Sequence, residues 1–239
     1  MMLAYHEISD AAKDVYALSP ESFRRHAAIV SQNHQEWDSI TFDDGHISQF
    51  VEAVPILSQF QLRATFFVTT AWIGTRESVA NWADVRESLR LGHKVASHTH
   101  THPLLTACDD AALLSELSIS KRILEDRLGA EITSISMPGG RVDARVLRAC
   151  REAGYQRVFT SRVGENRPAS DGMPEVFGRY VITRATGEKT LASYLAGESV
   201  TMRRLELEGS AKRLVKRLVG DSIYQKVWRK AVRSQFHGA

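Results

Sequence analysis

Short apolar or β-branched runs alternate along this chain with longer segments of helical periodicity, and that alternation narrows the fold more than any other feature. The runs cover residues 1–5, 37–42, 64–69, 93–97, 132–137, 157–160 and 177–183. Between them lie helix-like stretches at 19–33, 49–60, 79–91, 109–128 and 144–154. Repeated strand–helix units of these lengths build a parallel sheet covered by helices. Boundary chemistry agrees: Ser19-Pro20 reads as an N-cap and first helical residue, and Asp109 can cap the longest helix. Leu91-Gly92, Leu128-Gly129 and Ala153-Gly154 each place a glycine at a helix end. The pattern predicts an α/β fold, a distorted (β/α) barrel of about seven strands over residues 1–200, followed by a basic helical extension over 201–239.

Composition sets bounds on function. The 239 residues, 43% hydrophobic and 25% charged, suit one globular core. No apolar run approaches the ~20 residues of a membrane-spanning helix. Met1-Met2-Leu3-Ala4-Tyr5-His6 lacks the basic and apolar regions of a secretory signal, so a cytoplasmic location is expected. Cys108 and Cys150 have no metal-type spacing and read as buried reduced thiols. Charge is uneven: from Thr201 onward there are ten Lys/Arg against three Asp/Glu, whereas the first 200 residues hold 21 against 25. A body without net positive charge argues against a nucleic-acid partner. In the tail, Leu205, Leu207, Ala211, Leu214, Val215, Leu218 and Val219 form an apolar stripe opposite Lys212, Arg213, Lys216 and Arg217. A second basic amphipathic stretch after Gly220-Asp221 carries Trp228. Two readings stay open: a basic helix pair packed on the barrel, or peripheral contact of 201–239 with an anionic membrane, at the inner face.

The chemistry concentrates at predicted strand ends, where barrels of this type place their sites. Thr41-Phe42-Asp43-Asp44-Gly45 ends one strand, and Ser97-His98-Thr99-His100-Thr101-His102 ends another. One carboxylate and two imidazoles can hold a divalent ion with positions left for water and substrate, while a second carboxylate takes a proton. Successive residues on a strand point to opposite faces, so Gly45 has to bend the chain for both carboxylates to reach the rim. Read separately, Asp-Gly is also ordinary turn chemistry and the histidines a solvated loop. Their joint placement favours a metal site.

With those residues in place, the chain resembles the polysaccharide deacetylases with a NodB-type domain, carbohydrate esterase family 4. The shared blocks are T-F-D-D-G at 41–45 and S-H-T-x-x-H at 97–102, supported by Ala64-Thr65-Phe66-Phe67-Val68 and Gly92-His93-Lys94-Val95-Ala96. The resemblance implies that Asp43 is the general base and that Asp44, His98 and His102 bind the metal, often zinc, with His100 outside the ligand set. It further implies attack of an activated water on an N-acetyl carbonyl. Two blocks depart from the pattern. The usual R-x-P-Y-G is Ser136-Met137-Pro138-Gly139-Gly140 here, without its arginine and tyrosine. In this block the backbone N–H of Gly139, beside Pro138, could still hold an oxyanion, and Arg141 is a candidate for the missing arginine. The late L-x-H histidine is also absent. Tyr5-His6-Glu7-Ile8 is similar to the early Y-H motif of one branch, in which the histidine serves as the acid, so His6 takes that expectation.

These residues point to hydrolytic deacetylation of an N-acetylated amino sugar in a surface glycan or its lipid- or nucleotide-linked precursor. Amide hydrolysis on a non-sugar substrate would use the same site. A carbohydrate binder that has lost catalysis is the other class, although it would have no use for a spare base at Asp43.

Overall fold

The computed structural model describes residues 1–11, 14–33 and 39–219. Its core is an all-parallel barrel sheet. In chain order the strands are β1 (Leu3–Tyr5), β2 (Glu7–Ile8), β3 (Ala17–Leu18), β4 (Ile40–Phe42), β5 (Thr65–Val68), β6 (Lys94–Ser97), β7 (Ser134–Ser136), β8 (Arg157–Thr160), β9 (Glu175–Gly178) and β10 (Tyr180–Val181). The barrel order is β10-β1-β4-β5-β6-β7-β8-β9, with β2 and β3 pairing separately. Most strand residues are buried and only Lys94 is exposed, as expected when helices cover a parallel sheet.

Eight strands stand where about seven were predicted, and the difference lies at the closure. The single run expected over 177–183 divides at Arg179. Upstream, β9 pairs with β8; downstream, β10 pairs with β1. One stretch of chain therefore carries both edges of the sheet and nearly closes the ring, which leaves little unpaired edge. The backbone N–H of Arg179 donates to Thr160 and that of Tyr180 to Met2, 3.1 and 2.9 Å away.

The helices are α1 (Pro20–Gln32), α2 (Val54–Gln59), α3 (Trp82–Arg90), α4 (Asp110–Leu128), α5 (Ala144–Glu152), α6 (Glu188–Leu195) and α7 (Ser199–Val219). Ser19 and Asp109 cap α1 and α4 through their side chains, and Gly129 ends α4 at φ 65°. Two boundaries differ from expectation. The segment 49–60 opens with a π-turn over Gln49–Ala53, because Pro55 has no N–H to give the carbonyl four residues back. Helix α3 starts three residues later than its periodicity suggested: Val79 is drawn into a bridge with His46, and Asn81 with Asp84 forms a capping box. Both cysteines are free thiols, and burial pushes Cys150 up to about 12.

Helix α6 packs on α1, and α7 packs on α6. The predicted apolar stripe is only partly realised: Leu205 is buried, but Leu207 is 71% exposed. Met202 packs against the core in its place, three residues before Leu205. The expected second tail helix lies outside the described residues. Among those described, no helix is long and apolar enough to cross a membrane.

Close backbone approach makes Gly178 a checkable element of the closure. A Cβ there would lie 1.8 Å from the Arg162 carbonyl oxygen. Gly178→Ala is expected to destabilise the fold by about 2–3 kcal/mol, seen as a lower urea midpoint with an unchanged m-value.

Candidate active site

All the chemistry-bearing side chains meet at the carboxyl ends of the strands. The chain turns sharply after β4, with Asp44 at φ 77° and Gly45 at φ 78°. That turn resolves the alternation problem: Asp43 stays in the barrel axis and Asp44 swings to the rim. After β6, the segment from His98 to Pro103 bends without forming a helix. Thr99 and His102 there hold left-handed φ values of 67° and 69°. Such conformations cost on the order of 1–3 kcal/mol each and need surrounding support. Glu116 on α4 supplies it by accepting from the N–H groups of His100 and Thr101, at 2.9 and 2.8 Å. His100 itself bonds Thr70, away from the other two imidazoles.

The bend brings three donor atoms together. Asp44 Oδ1 is 3.4 Å from His98 Nε2 and 3.3 Å from His102 Nε2, and one ligand atom from each residue lies within 4.8 Å of the others. Two ligands about 2.0–2.1 Å from one ion at a tetrahedral angle would be roughly 3.3–3.4 Å apart. His98 Nδ1 faces the Ser136 carbonyl at 2.9 Å, so its N–H goes there and the Nε2 lone pair turns inward. Asp44 Oδ1 is buried and has no hydrogen-bond partner. An orphaned carboxylate oxygen between two imidazole nitrogens fits a divalent cation. Burial would raise Asp44, yet the contacts to His102 and His98 hold it well below the usual carboxylate range. Burial would lower His98, but Asp43 and Asp44 together raise it.

Asp43 has a different partner. Arg179 Nη1 donates to Asp43 Oδ1 at 2.8 Å and Nη2 to Oδ2 at 2.7 Å, a two-pronged pair with Arg179 fully buried. The remaining donors reach Thr41 Oγ1, Ser136 Oγ and the Thr160 carbonyl, so all five guanidinium N–H groups are satisfied. The plane also lies near the Phe67 ring, 5.2 Å to its centroid. Burial alone would raise Asp43; the adjacent Arg179 and then His98 bring it down to about 2. It is therefore ionised at neutral pH.

The profile of the polysaccharide deacetylase family matches residues 32–158, more than half of the chain. The chain belongs to that family. Peptidoglycan-N-acetylglucosamine deacetylase of Bacillus cereus is 29% identical over 161 residues, 66% of this chain and 73% of that protein. A chitooligosaccharide deacetylase of Rhizobium leguminosarum is 37% identical over 123 residues, 51% of this chain and 55% of its own length. Alignment with YxkH of Bacillus subtilis spans only 44% of that protein. Among solved structures, the Streptococcus pyogenes deacetylase PplD superposes with a TM-score of 0.73 at 20% identity, covering 81% of this chain and 96% of that one. The shared fold is the deacetylase (β/α) barrel.

Within this family the departures now have a physical reading. Arg141 is not the partner of Asp43; that role falls to Arg179, at the junction of β9 and β10. Ser136 stands where the family block has arginine, and its small hydroxyl accepts from the incoming guanidinium. Arg179 was missed because it lies in a run read only as a strand. The available signal was a lone arginine between Phe177-Gly178 and Tyr180-Val181, in a strand that had to face a packed interior. Pro138 is buried and Gly139 exposed in the turn after β7. A Cβ at Gly139 would sit 2.8 Å from Leu104, two residues past His102, so this turn abuts the histidine bend. His6 follows β1, its ring 5.0 Å from that of Tyr16 and its Nδ1 buried without a partner. With Asp44, Trp72 and Arg76 it lines a cavity of about 200 Å³.

Two outcomes follow. Arg179→Met should strand the buried carboxylate and cost about 3–5 kcal/mol in urea unfolding, with Arg179→Lys intermediate. Because Asp43 is held at about 2, below its ordinary 3.8, its stabilising contribution is complete above the ordinary value and fades as pH falls towards 2; the Met variant loses that acid-limb dependence. Since His98 is raised above 6.5 without an ion, protons compete for its Nε2 on the acid side. Cobalt(II) absorption titrations should show affinity falling steadily as pH is lowered; a pH-independent affinity would exclude imidazole ligation.

Proposed function

We propose that this chain is a metal-dependent hydrolase that removes N-acetyl groups from amino sugars of a surface polysaccharide or its lipid- or nucleotide-linked precursor. The observation that carries the reading is the joint arrangement of Asp44, His98 and His102 around one point, with a second, ionised carboxylate held beside it by Arg179. Relatives named for peptidoglycan and chitooligosaccharide deacetylation support the substrate class. The alignment spans about half the length of several relatives, so the substrate is argued from the site chemistry.

Asp44, His98 and His102 are the residues that would hold the ion, and one carboxylate with two imidazoles is a donor set typical of zinc. When bound, the ion polarises the substrate carbonyl and acidifies water. Asp43 then accepts the proton of the attacking water. Its pairing with Arg179 fixes its orientation and keeps it ionised, ready to accept, while lowering its strength as a base. The Gly139 N–H, on the turn that abuts the histidine bend, serves the developing oxyanion. His6, across the small cavity from Trp72, donates a proton to the departing amine. Tyr16 against its ring limits the orientations it can adopt.

Acetate release from N-acetylhexosamine oligomers is the test. Chelator should abolish it and zinc restore it. Asp43→Asn should lower turnover by about 10²–10⁴-fold while zinc binding persists, and His6→Ala by at least about 10²-fold. Unchanged turnover in the Asn variant would rule out Asp43 as the base, and full activity of His6→Ala would move the acid role to another group.

A further inference from the structure

On the outside of the barrel, the long connection from β8 to β9 arches over α5 and encloses an open groove of about 730 Å³. Ala144, Leu147, Arg148 and Arg151 recur at helical spacing, so one face of α5 forms its wall. Leu147 and Met173 give it an apolar floor, while Arg162 and Arg167 approach from the arching connection. Of these four arginines, Arg162 and Arg167 share a single carboxylate, Glu165, each at 3.1 Å. Arg148 and Arg151, one turn apart and exposed, have no ion pair among the described residues. The other acid in the wall, Asp143, is committed to capping α5 through the Val146 N–H at 2.8 Å. Like charges at this spacing repel, so the pair favours an anion between them.

The upper end of the groove lies beside the turn that carries Gly139. That end begins at Val142, two residues after the Pro138–Gly140 turn, and Arg162 Nη2 donates to the Val142 carbonyl at 3.4 Å. Gly140 lies so close to Ser161 that a Cβ would come within 2.4 Å of that side chain. A substrate with its acetyl group at Asp44 and its remainder passing over this turn would meet the arginines next.

We propose that this groove is a binding subsite for the diphosphate of a carrier-linked amino sugar, with Arg148 and Arg151 as its specificity-determining residues. Guanidinium forks on both walls match clustered phosphate oxygens, and the apolar floor accepts the body attached to them, whether nucleoside or polyprenyl. The inference rests on the deacetylase reading for its substrate, but the binding site can be tested without turnover.

The experiment uses the full chain, chelator-treated so that phosphate cannot bind through a metal, titrated calorimetrically with uridine-diphosphate-N-acetylglucosamine and with a short polyprenyl-diphosphate-N-acetylglucosamine. Double substitution Arg148→Ala/Arg151→Ala should weaken binding of the preferred carrier at least tenfold, and Arg148→Lys/Arg151→Lys should recover part of it. With zinc restored, the alanine pair should raise KM for that compound at least tenfold, with kcat unchanged and with unchanged kcat/KM on neutral chitooligosaccharide. Which of the two compounds binds tighter identifies the carrier. Equal affinity of wild type and the alanine pair for both compounds would overturn the subsite. Arginine-dependent binding without acetate release from any substrate would instead refute the deacetylase reading and leave the subsite standing.

Discussion

Arg179 brings a full positive charge into the middle of a packed barrel, and much of the surrounding architecture answers that one demand. An isolated buried charge is costly, so the site must neutralise it and satisfy every donor. Asp43 meets the charge, and Thr41, Ser136 and Thr160 take the remaining N–H groups. Those acceptors come from β4, β7 and β8, and Arg179 itself from the point where β9 gives way to β10. A single side chain thus ties four parts of the ring together at its closure. Removing either partner leaves an unpaired charge, so the same interaction that shapes the site also fixes its geometry.

The neighbouring pair of aspartates divides the labour. Asp43 is inside the barrel and committed to Arg179, whereas Asp44, one residue on, occupies a left-handed turn and faces the two imidazoles. His102 shares that strained backbone. Strain at two prospective ligands is consistent with a loop shaped for ligation rather than for stability. Support comes from below: the Ser136 carbonyl orients His98, and Glu116 holds the bend. Ser136 therefore serves both halves of the site, its hydroxyl facing Arg179 and its carbonyl facing His98.

How much of this was legible in the chain depended on how local the determinant was. Strand–helix alternation, the Ser19 and Asp109 caps and the glycine helix ends were readable, because each follows from a few adjacent residues. So was the grouping of Asp44, His98 and His102, since strand ends in such a barrel converge on one face. What escaped was non-local. Arg179 reaches Asp43 across 136 positions of sequence, and no spacing rule links them; Arg141 looked suitable only because it was near in sequence. The break at Arg179 was hidden for the same reason, as it depends on which neighbours the two half-strands find. Leu207 was misread because helical periodicity identifies a stripe but not how far a packing partner extends along it.

The central claim is that Asp44, His98 and His102 share one cation. Crystals of the zinc-treated protein, measured on both sides of the zinc absorption edge, test it directly. The account predicts a single strong anomalous peak about 2.0–2.2 Å from Asp44 Oδ1 and from the Nε2 atoms of His98 and His102, lost in His98→Ala. A zinc-treated crystal with no peak at that point, or with its peak at other side chains, would contradict it.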